Sequence, residues 1–330
     1  MPSTIEINQV GKREDLRDII SLADVRERPL LAMAMKLEAP KNMTIQWQVD
    51  AFDAPSLTNA VADGVDVKTF GDKAKNRALL SNYAQKFRKA WMVGDIAENI
   101  SNVAGLSGGE AAEALDHCIE EIGRDIEYTL CSENGAQLEV DEDTPYKTRG
   151  LAKWLTDGTK RTSHDTVLPI PAAYRIPSAS VDSTTTITEN LLNTVLTSVY
   201  SQWGKSSDMT MIAGTAVKTA ISGFTMAEGA GDKSSLSVRS FDASLDGKTI
   251  VRSITRYVGD YNTVNVVPSL LVPDTDYAFL IPPDFVGVAF GRQPRARQLE
   301  DQGGGPRGYV DAIVGLVVKN PTVFGIFEGD

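Results

Sequence analysis

Between Ser107 and Asn134 the apolar residues recur at steps of three and four: Ala111, Leu115, Cys118, Ile122, Ile126 and Leu130, with Ile119 beside them. Glu113, Asp116, Glu120, Arg124, Asp125 and Glu127 mostly take the other faces. The spacing predicts an amphipathic helix of about seven turns, roughly 40 Å long. Ser107-Gly108-Gly109-Glu110 has the form of a capping box at its start, and Asn134-Gly135 that of a stop. Leu115, Cys118, Ile119, Ile122, Ile126 and Leu130 are its expected core side chains.

The segment before this helix is polar, broken by Pro29, Pro40 and Pro55, and short of core residues. Lys12 to Arg28 predicts a short helix with Leu16, Ile19, Ile20 and Ala23 on one side, stopped by Pro29; Leu30 to Leu37 is a second apolar stretch. From Thr44 the period changes to two. Ile45, Trp47 and Val49 alternate with Gln46, Gln48 and Asp50, and Val65, Val67 and Thr69 alternate again beyond a loop with Pro55 and Gly64. The pattern predicts a two-stranded hairpin, which is marginal alone and needs a surface to lie on. A limb of this kind usually has a partner, and in a self-assembling protein the partner is another copy.

After the helix, Glu139 to Asp143 reads as an acidic loop. Thr186 with Glu189 has the form of a second capping box, and Leu191, Leu192, Val195, Leu196, Val199 and Tyr200 predict an apolar helix face closed by Gly204. Met209 to Ala213 predicts a buried strand and Thr215 to Ser222 a short helix. Ile250 to Val258 and Asn262 to Val267 flank Gly259-Asp260-Tyr261 as a hairpin. Asp276 to Ile281 is a further strand cut by Pro282-Pro283, and Gly291 to Gly308 reads as a loop. Tyr309 to Lys319 and Thr322 to Phe327 predict a strand pair across Asn320-Pro321. The class is α+β, with strands paired mostly antiparallel.

Composition narrows the function. A chain of 330 residues exceeds what one core usually serves, so two packed subdomains plus extensions are expected. The net charge of −11 argues against a mainly electrostatic DNA binder and makes copies repel, so assembly must rest on shape and buried contacts. Arg292, Arg295, Arg297 and Arg307 cluster locally; the plainer reading is a solvated loop, the alternative a basic face. No run approaches the roughly 18 apolar residues of a membrane span, and Met1-Pro2-Ser3-Thr4 does not open a signal peptide. Cys118 and Cys131 would point about 140° apart on the helix, which predicts packing thiols rather than a disulfide.

Enzyme chemistry finds no constellation. Gly303-Gly304-Gly305-Pro306-Arg307-Gly308 lacks the Gly-Lys-Ser/Thr ending of a phosphate loop. Ser163-His164-Asp165 holds triad residue types, yet consecutive residues rarely converge on one point. With two histidines, two separated cysteines and no EF-hand spacing around Asp141-Glu142-Asp143, neither a zinc nor a calcium site is expected. No cofactor is implied.

The order of elements, together with several short motifs, is distinctive. Val10-Gly11-Lys12-Arg13-Glu14-Asp15-Leu16-Arg17-Asp18-Ile19-Ile20, the Trp47 strand from Thr44 to Asp50, and Asn82-Tyr83-Ala84-Gln85-Lys86-Phe87-Arg88-Lys89 are three of them. Glu120-Glu121-Ile122-Gly123-Arg124-Asp125-Ile126-Glu127 and Arg149-Gly150 with Trp154 are two more. The chain resembles the SU-ten-like family of tailed-phage major capsid proteins, whose fold is named after the Hong Kong ninety-seven coat protein. That resemblance implies an α+β phage capsid fold with a 107–133 spine helix packed on the C-terminal strand pair. It divides the chain into an N-terminal arm (1–40), an extended hairpin loop (41–75), a peripheral domain (76–184 and 291–330) and an axial domain (185–290). It further implies a non-enzymatic protein that assembles with itself, as pentamers and hexamers, into an icosahedral virion shell in the host bacterial cytoplasm. Double-stranded DNA would be contacted non-specifically, and portal, scaffolding or decoration proteins would be further partners.

On this reading Ile45, Trp47, Val49, Phe52, Val65, Val67, Leu16 and Ile19 are candidate subunit-interface residues, with Trp47 and Phe52 as aromatic anchors. The competing reading is that Trp47 packs inside its own subunit. An encapsulin-like compartment for protein cargo, and an enzyme of unknown type, are the alternative functions.

Overall fold

The computed structural model describes residues 27–99, 109–162, 165–183, 187–224 and 254–328. The chain begins with helix α1 (Pro29–Met33) and strands β1 (Met35–Leu37), β2 (Thr44–Val49), β3 (Ala78–Tyr83) and β4 (Gln85–Met92). Helices α2 (Asp95–Asn99), α3 (Glu110–Cys131) and α4 (Leu151–Trp154) follow, then β5 (Val181–Asp182), α5 (Glu189–Trp203), β6 (Asp208–Ala213) and α6 (Thr215–Gly223). Six strands complete it: β7 (Arg256–Val258), β8 (Thr263–Pro268), β9 (Ala278–Ile281), β10 (Val286–Leu299), β11 (Arg307–Val318) and β12 (Gly325–Phe327).

One sheet has the order β1-β10-β11-β4, antiparallel except for the β1–β10 pair. The long helix α3 lies on it because Cys118, Ile122, Ile126 and Leu130 form one stripe and join Phe87, Val310, Ala312 and Val314 in a common apolar cluster. Leu115 is partly buried at the stripe's edge. Ile119, expected in the core, is 40% exposed: one position beyond Cys118, it falls outside the stripe. Cys118 and Cys131 are both buried free thiols.

A second, six-stranded sheet has the order β5-β12-β9-β6-β8-β7. It is buried on both faces. Met209, Met211 and Ala213 of β6 join Leu192, Val195 and Val199 of α5 in one cluster, while Ile212 turns to the cluster under α3. A strand covered on both sides reads as an unbroken apolar run, as Met209–Ala213 does. Helix α5 closes at Gly204, which takes φ 67° and donates to Tyr200 O, the left-handed stop its sequence predicted.

Several expectations are corrected. The partner of β2 is β3, in register from Thr44↔Tyr83 to Val49↔Ala78, and 65–69 forms no strand. Val65 and Val67 alternate with polar residues but have no neighbour to pair with, whereas Leu80 and Asn82 in β3 are buried. Residues 291–299 are not loop but the second half of β10; arginine and glutamine obscured a strand with solvent on one face. Strand β11 pairs with β10 and β4, not with the 322–327 segment. Asn320 Oδ1 accepts from Thr322 N at 3.2 Å and Pro321–Val323 makes a tight turn, so β12 leaves for the second sheet.

Helix starts differ as well. Gly109, at φ 85°, precedes α3, and Glu98 of α2 accepts from Ala111 N at 3.0 Å, a cap supplied from another helix. Thr188, not Thr186, caps α5 through Leu191 N. The Lys12–Arg28 helix, Leu16, Ile19, Ser107, Ser163, His164 and Thr186 lie outside the described residues.

Candidate functional site

Strands β2 and β3 carry between them a segment, residues 50–77, in which every side chain from Asp50 to Lys75 is exposed. Its base is pinned by charge. Asp53 faces Lys75 at 2.9 Å and Lys73 at 3.3 Å, accepts from Asn76 Nδ2 at 3.2 Å, and Asp50 meets Arg77 at 3.3 Å. The hydrogen bonds from Lys75 and Lys73 hold the Asp53 carboxyl down at about 2. Above this base Phe52, Leu57, Val61, Val65, Val67 and Phe70 have no cover from their own subunit. Phe52, Val65 and Val67 are thus placed where an interface would need them.

The strands beneath are held inside the subunit. Trp47 stacks at 5.5 Å on Trp154 and donates from Nε1 to Lys319 O at 3.3 Å, and Val49 is buried. Ile45 is half-buried, with its Cδ1 against Gly315. Trp47 is therefore a fastener of its own subunit rather than an interface anchor, and Ile45 and Val49 belong with it. Alternation along one strand face put these residues together; it carries no information about which copy they pack on. The Tyr174 hydroxyl, from a tight turn at Ala172–Tyr174, donates to Asn76 O and tethers the far end.

The motifs after Ala78 brace the same framework, a role the sequence did not reveal. Asn82 is fully buried: Nδ2 donates to Leu316 O at 2.7 Å and Thr148 Oγ1 at 3.1 Å, while Oδ1 accepts from Arg149 N at 2.8 Å and Tyr83 N at 2.9 Å. Gln85 Oε1 accepts from Thr148 N at 3.1 Å. Lys89 reaches Asp125 on α3 at 2.9 Å. Glu127, buried in the middle of α3, accepts from Leu30 N at 2.7 Å and Leu31 N at 2.8 Å, so α1 is docked on the long helix by its first turn. Burial pushes the Glu127 carboxyl up, against the two backbone donors and the nearby Arg28.

Arg149 is buried between Asp165 (Nε to Oδ2, 3.0 Å) and the face of Trp154, 4.3 Å from its ring centre. Gly150 is required beside it, since a Cβ there would sit 2.0 Å from Ser132 O. With Asp165 so engaged, its part in the Ser-His-Asp sequence is structural. The glycine-rich turn is also self-satisfied: Asp301 Oδ1 accepts from Gly303, Gly304 and Gly305 N at 2.8, 3.1 and 3.1 Å, occupying the donors a phosphate would use. Among the described residues no three His, Cys, Asp or Glu side chains are grouped to hold a metal. No helix of the described residues is long and apolar enough to cross a membrane.

A spine helix across a four-stranded sheet, a second sheet beside it and an exposed long loop match solved capsid structures. The Cyanophage A-1(L) capsid superposes with a TM-score of 0.63 at 13% identity, covering 96% of each chain. Mycobacterium phage Che8 gives 0.55 at 13% identity over 97% of each chain. The SrpI encapsulin from Synechococcus elongatus PCC 7942 gives 0.53 at 12% identity, covering 98% of this chain and 92% of its own. No curated protein sequence matches. The fold is thus the Hong Kong ninety-seven type of phage capsids. The family model for the SU10 major capsid protein matches residues 3–329, and the chain belongs to that family. It is a tailed-phage capsid protein, a structural component of the virion that assembles with copies of itself into a shell, and not an enzyme.

Proposed function

We propose that each copy grips a neighbour through the 50–77 loop, with residues 1–40 as a second limb and 185–290 as the axial region around five-fold and six-fold positions. Residues 76–184 and 291–330 form the peripheral domain on this reading. Two separate apolar clusters support the division, although β5 and β12 pair into the second sheet from outside 185–290. The observation that carries the proposal is the row of uncovered apolar side chains on a loop whose base is fixed.

Burying a Val, Leu or Phe contributes about 1.5–3 kcal/mol, so six of them give roughly 10 kcal/mol gross. That is comparable to the ~4–15 kcal/mol of freedom lost on association. One loop alone barely holds one neighbour; many loops in a closed shell hold each other.

The shell would enclose double-stranded DNA, contacted non-specifically, and assemble in the host cytoplasm with portal, scaffolding or decoration proteins as partners. An encapsulin-like role is the second reading, supported by the likeness to SrpI; nuclease-protected nucleic acid in purified particles separates the two. For the loop, replacing residues 54–72 by a short Gly-Ser linker tests the proposal. A folded subunit that forms no shells is expected, and intact shells would overturn it.

A further inference from the structure

The register of the first sheet brings a set of cations to one face. Arg297, Tyr309 and Ala90 lie in one row across β10, β11 and β4, and Arg295, Asp311 and Arg88 in the next; Leu299, Arg307 and Met92 close the end. Directly paired antiparallel residues share a face, and residues two apart on a strand return to it. Lys86, Arg88, Arg295, Arg297 and Arg307 therefore stand together. Phe87, Lys89 and Val310 take the opposite face, where Lys89 meets Asp125 of α3. The basic face is the one the long helix leaves open. Lys86, Arg88, Arg295 and Arg297 are exposed.

Its single carboxylate among these rows, Asp311, is buried and clasped by Arg292 at 2.6 Å and Arg295 at 3.3 Å. Arg88 lies over the Tyr309 ring at 4.9 Å, which fixes its guanidinium. At one end the exposed side chains of Leu299 and Met92 add an apolar margin. On a chain of net charge −11 this is a local inversion of sign.

The 50–77 loop has the complementary character. From Ala54 to Val67 it carries Asp63 and Asp66 and no basic residue, interleaved with Val61, Val65 and Val67, all exposed. Residue 64 is fourteen residues from Asp50, a reach of up to about 45 Å for extended chain. We propose that the open face of the β4–β11–β10 sheet, around Arg88 and Arg297, is the surface that receives the Asp63–Asp66 tip of the loop from a second copy. The inference rests on the loop reading above and adds its docking site. A phosphate backbone would use the cations but not the apolar margin; a tip of alternating valine and aspartate uses both. Charge also sets the register of the contact, because a slipped tip would leave carboxylates beside Asp311.

The test is a charge exchange in the full chain. Arg88 and Arg297 are the residues to reverse, since Arg292 and Arg295 hold buried Asp311. R88E/R297E and D63R/D66R are each expected to stay folded, with unchanged circular dichroism, and to lower shell yield by about tenfold or more, with the quadruple variant recovering most of it. Equal shell yield from R88E/R297E, while the loop-shortened chain fails to assemble, would overturn this docking surface and leave the loop reading standing. Shells from the loop-shortened chain would overturn the loop reading itself. Normal shells of R88E/R297E that have lost nucleic acid alone would reassign the face to DNA. Two reversed pairs that each block assembly but do not rescue each other would also overturn the pairing.

Discussion

Arg149 and Asp165 meet at 3.0 Å with almost no solvent on either side chain, and the Asp165 carboxylate also accepts from Ala136 N at 2.5 Å. This pair ties the segment after α3 to the turn that follows α4. Burial works against the Arg149 charge, and the carboxylate opposes that.

Asp165→Ala should therefore strand a buried cation. The expected loss is about 3–5 kcal/mol, larger than removing a surface pair. Denaturant unfolding of the unassembled subunit measures it; a change within error would mean water reaches Arg149.

Trp47 and Phe52 should separate cleanly. Trp47→Ala removes the stack on Trp154 and the hydrogen bond to Lys319 O, and should destabilise the isolated subunit by about 3 kcal/mol. Phe52→Ala should leave subunit stability within about 0.5 kcal/mol and act on assembly alone. Melting curves beside particle counts distinguish the two.

Asn82→Ala would leave Leu316 O and Arg149 N without their side-chain partner inside the protein. A cost of about 3 kcal/mol is expected from orphaning such groups. Asn82→Asp should be no rescue, since it keeps the acceptor but replaces the donor to three oxygens by a charge. Thermal unfolding of both variants is the measurement.

Glu127 makes a pH prediction. Its carboxyl is raised by burial in the folded subunit above the unfolded value of about 4.3. A raised folded value means the favourable contribution is complete below about pH 4.3 and is lost as pH rises through the folded value. The stability of the native chain relative to Glu127→Gln should therefore fall across that window, and a difference flat with pH would show that Glu127 is not desolvated.

Much of this fold was legible where burial is complete or one-sided along a single element. The α3 stripe, the Leu192–Val199 face and the Met209–Ala213 run each follow from local pattern. Pairing was not legible, because it joins distant residues: Trp47 gives no hint that its neighbours are Leu80 and Trp154. Strand β10 was hidden for another reason. Its outer half has arginines where a one-sided strand would show alternation, and the bulges between Phe290 and Arg295 shift the period. Of the candidate interface, exposure on the loop was foreseeable from its polarity and lack of core, while the inward role of Ile45, Trp47 and Val49 depends on a surface made by β11 and the 148–155 segment.

Strand β12 sits between β5 and β9, in the interior of the six-stranded sheet, although it is built from the last described residues of the chain. Until Gly325–Phe327 leaves the ribosome that sheet has a gap, and the edges of β5 and β9 are open. A nascent chain is thus an unfinished brick. The order of synthesis itself delays the subunit's competence to join a lattice until translation has ended.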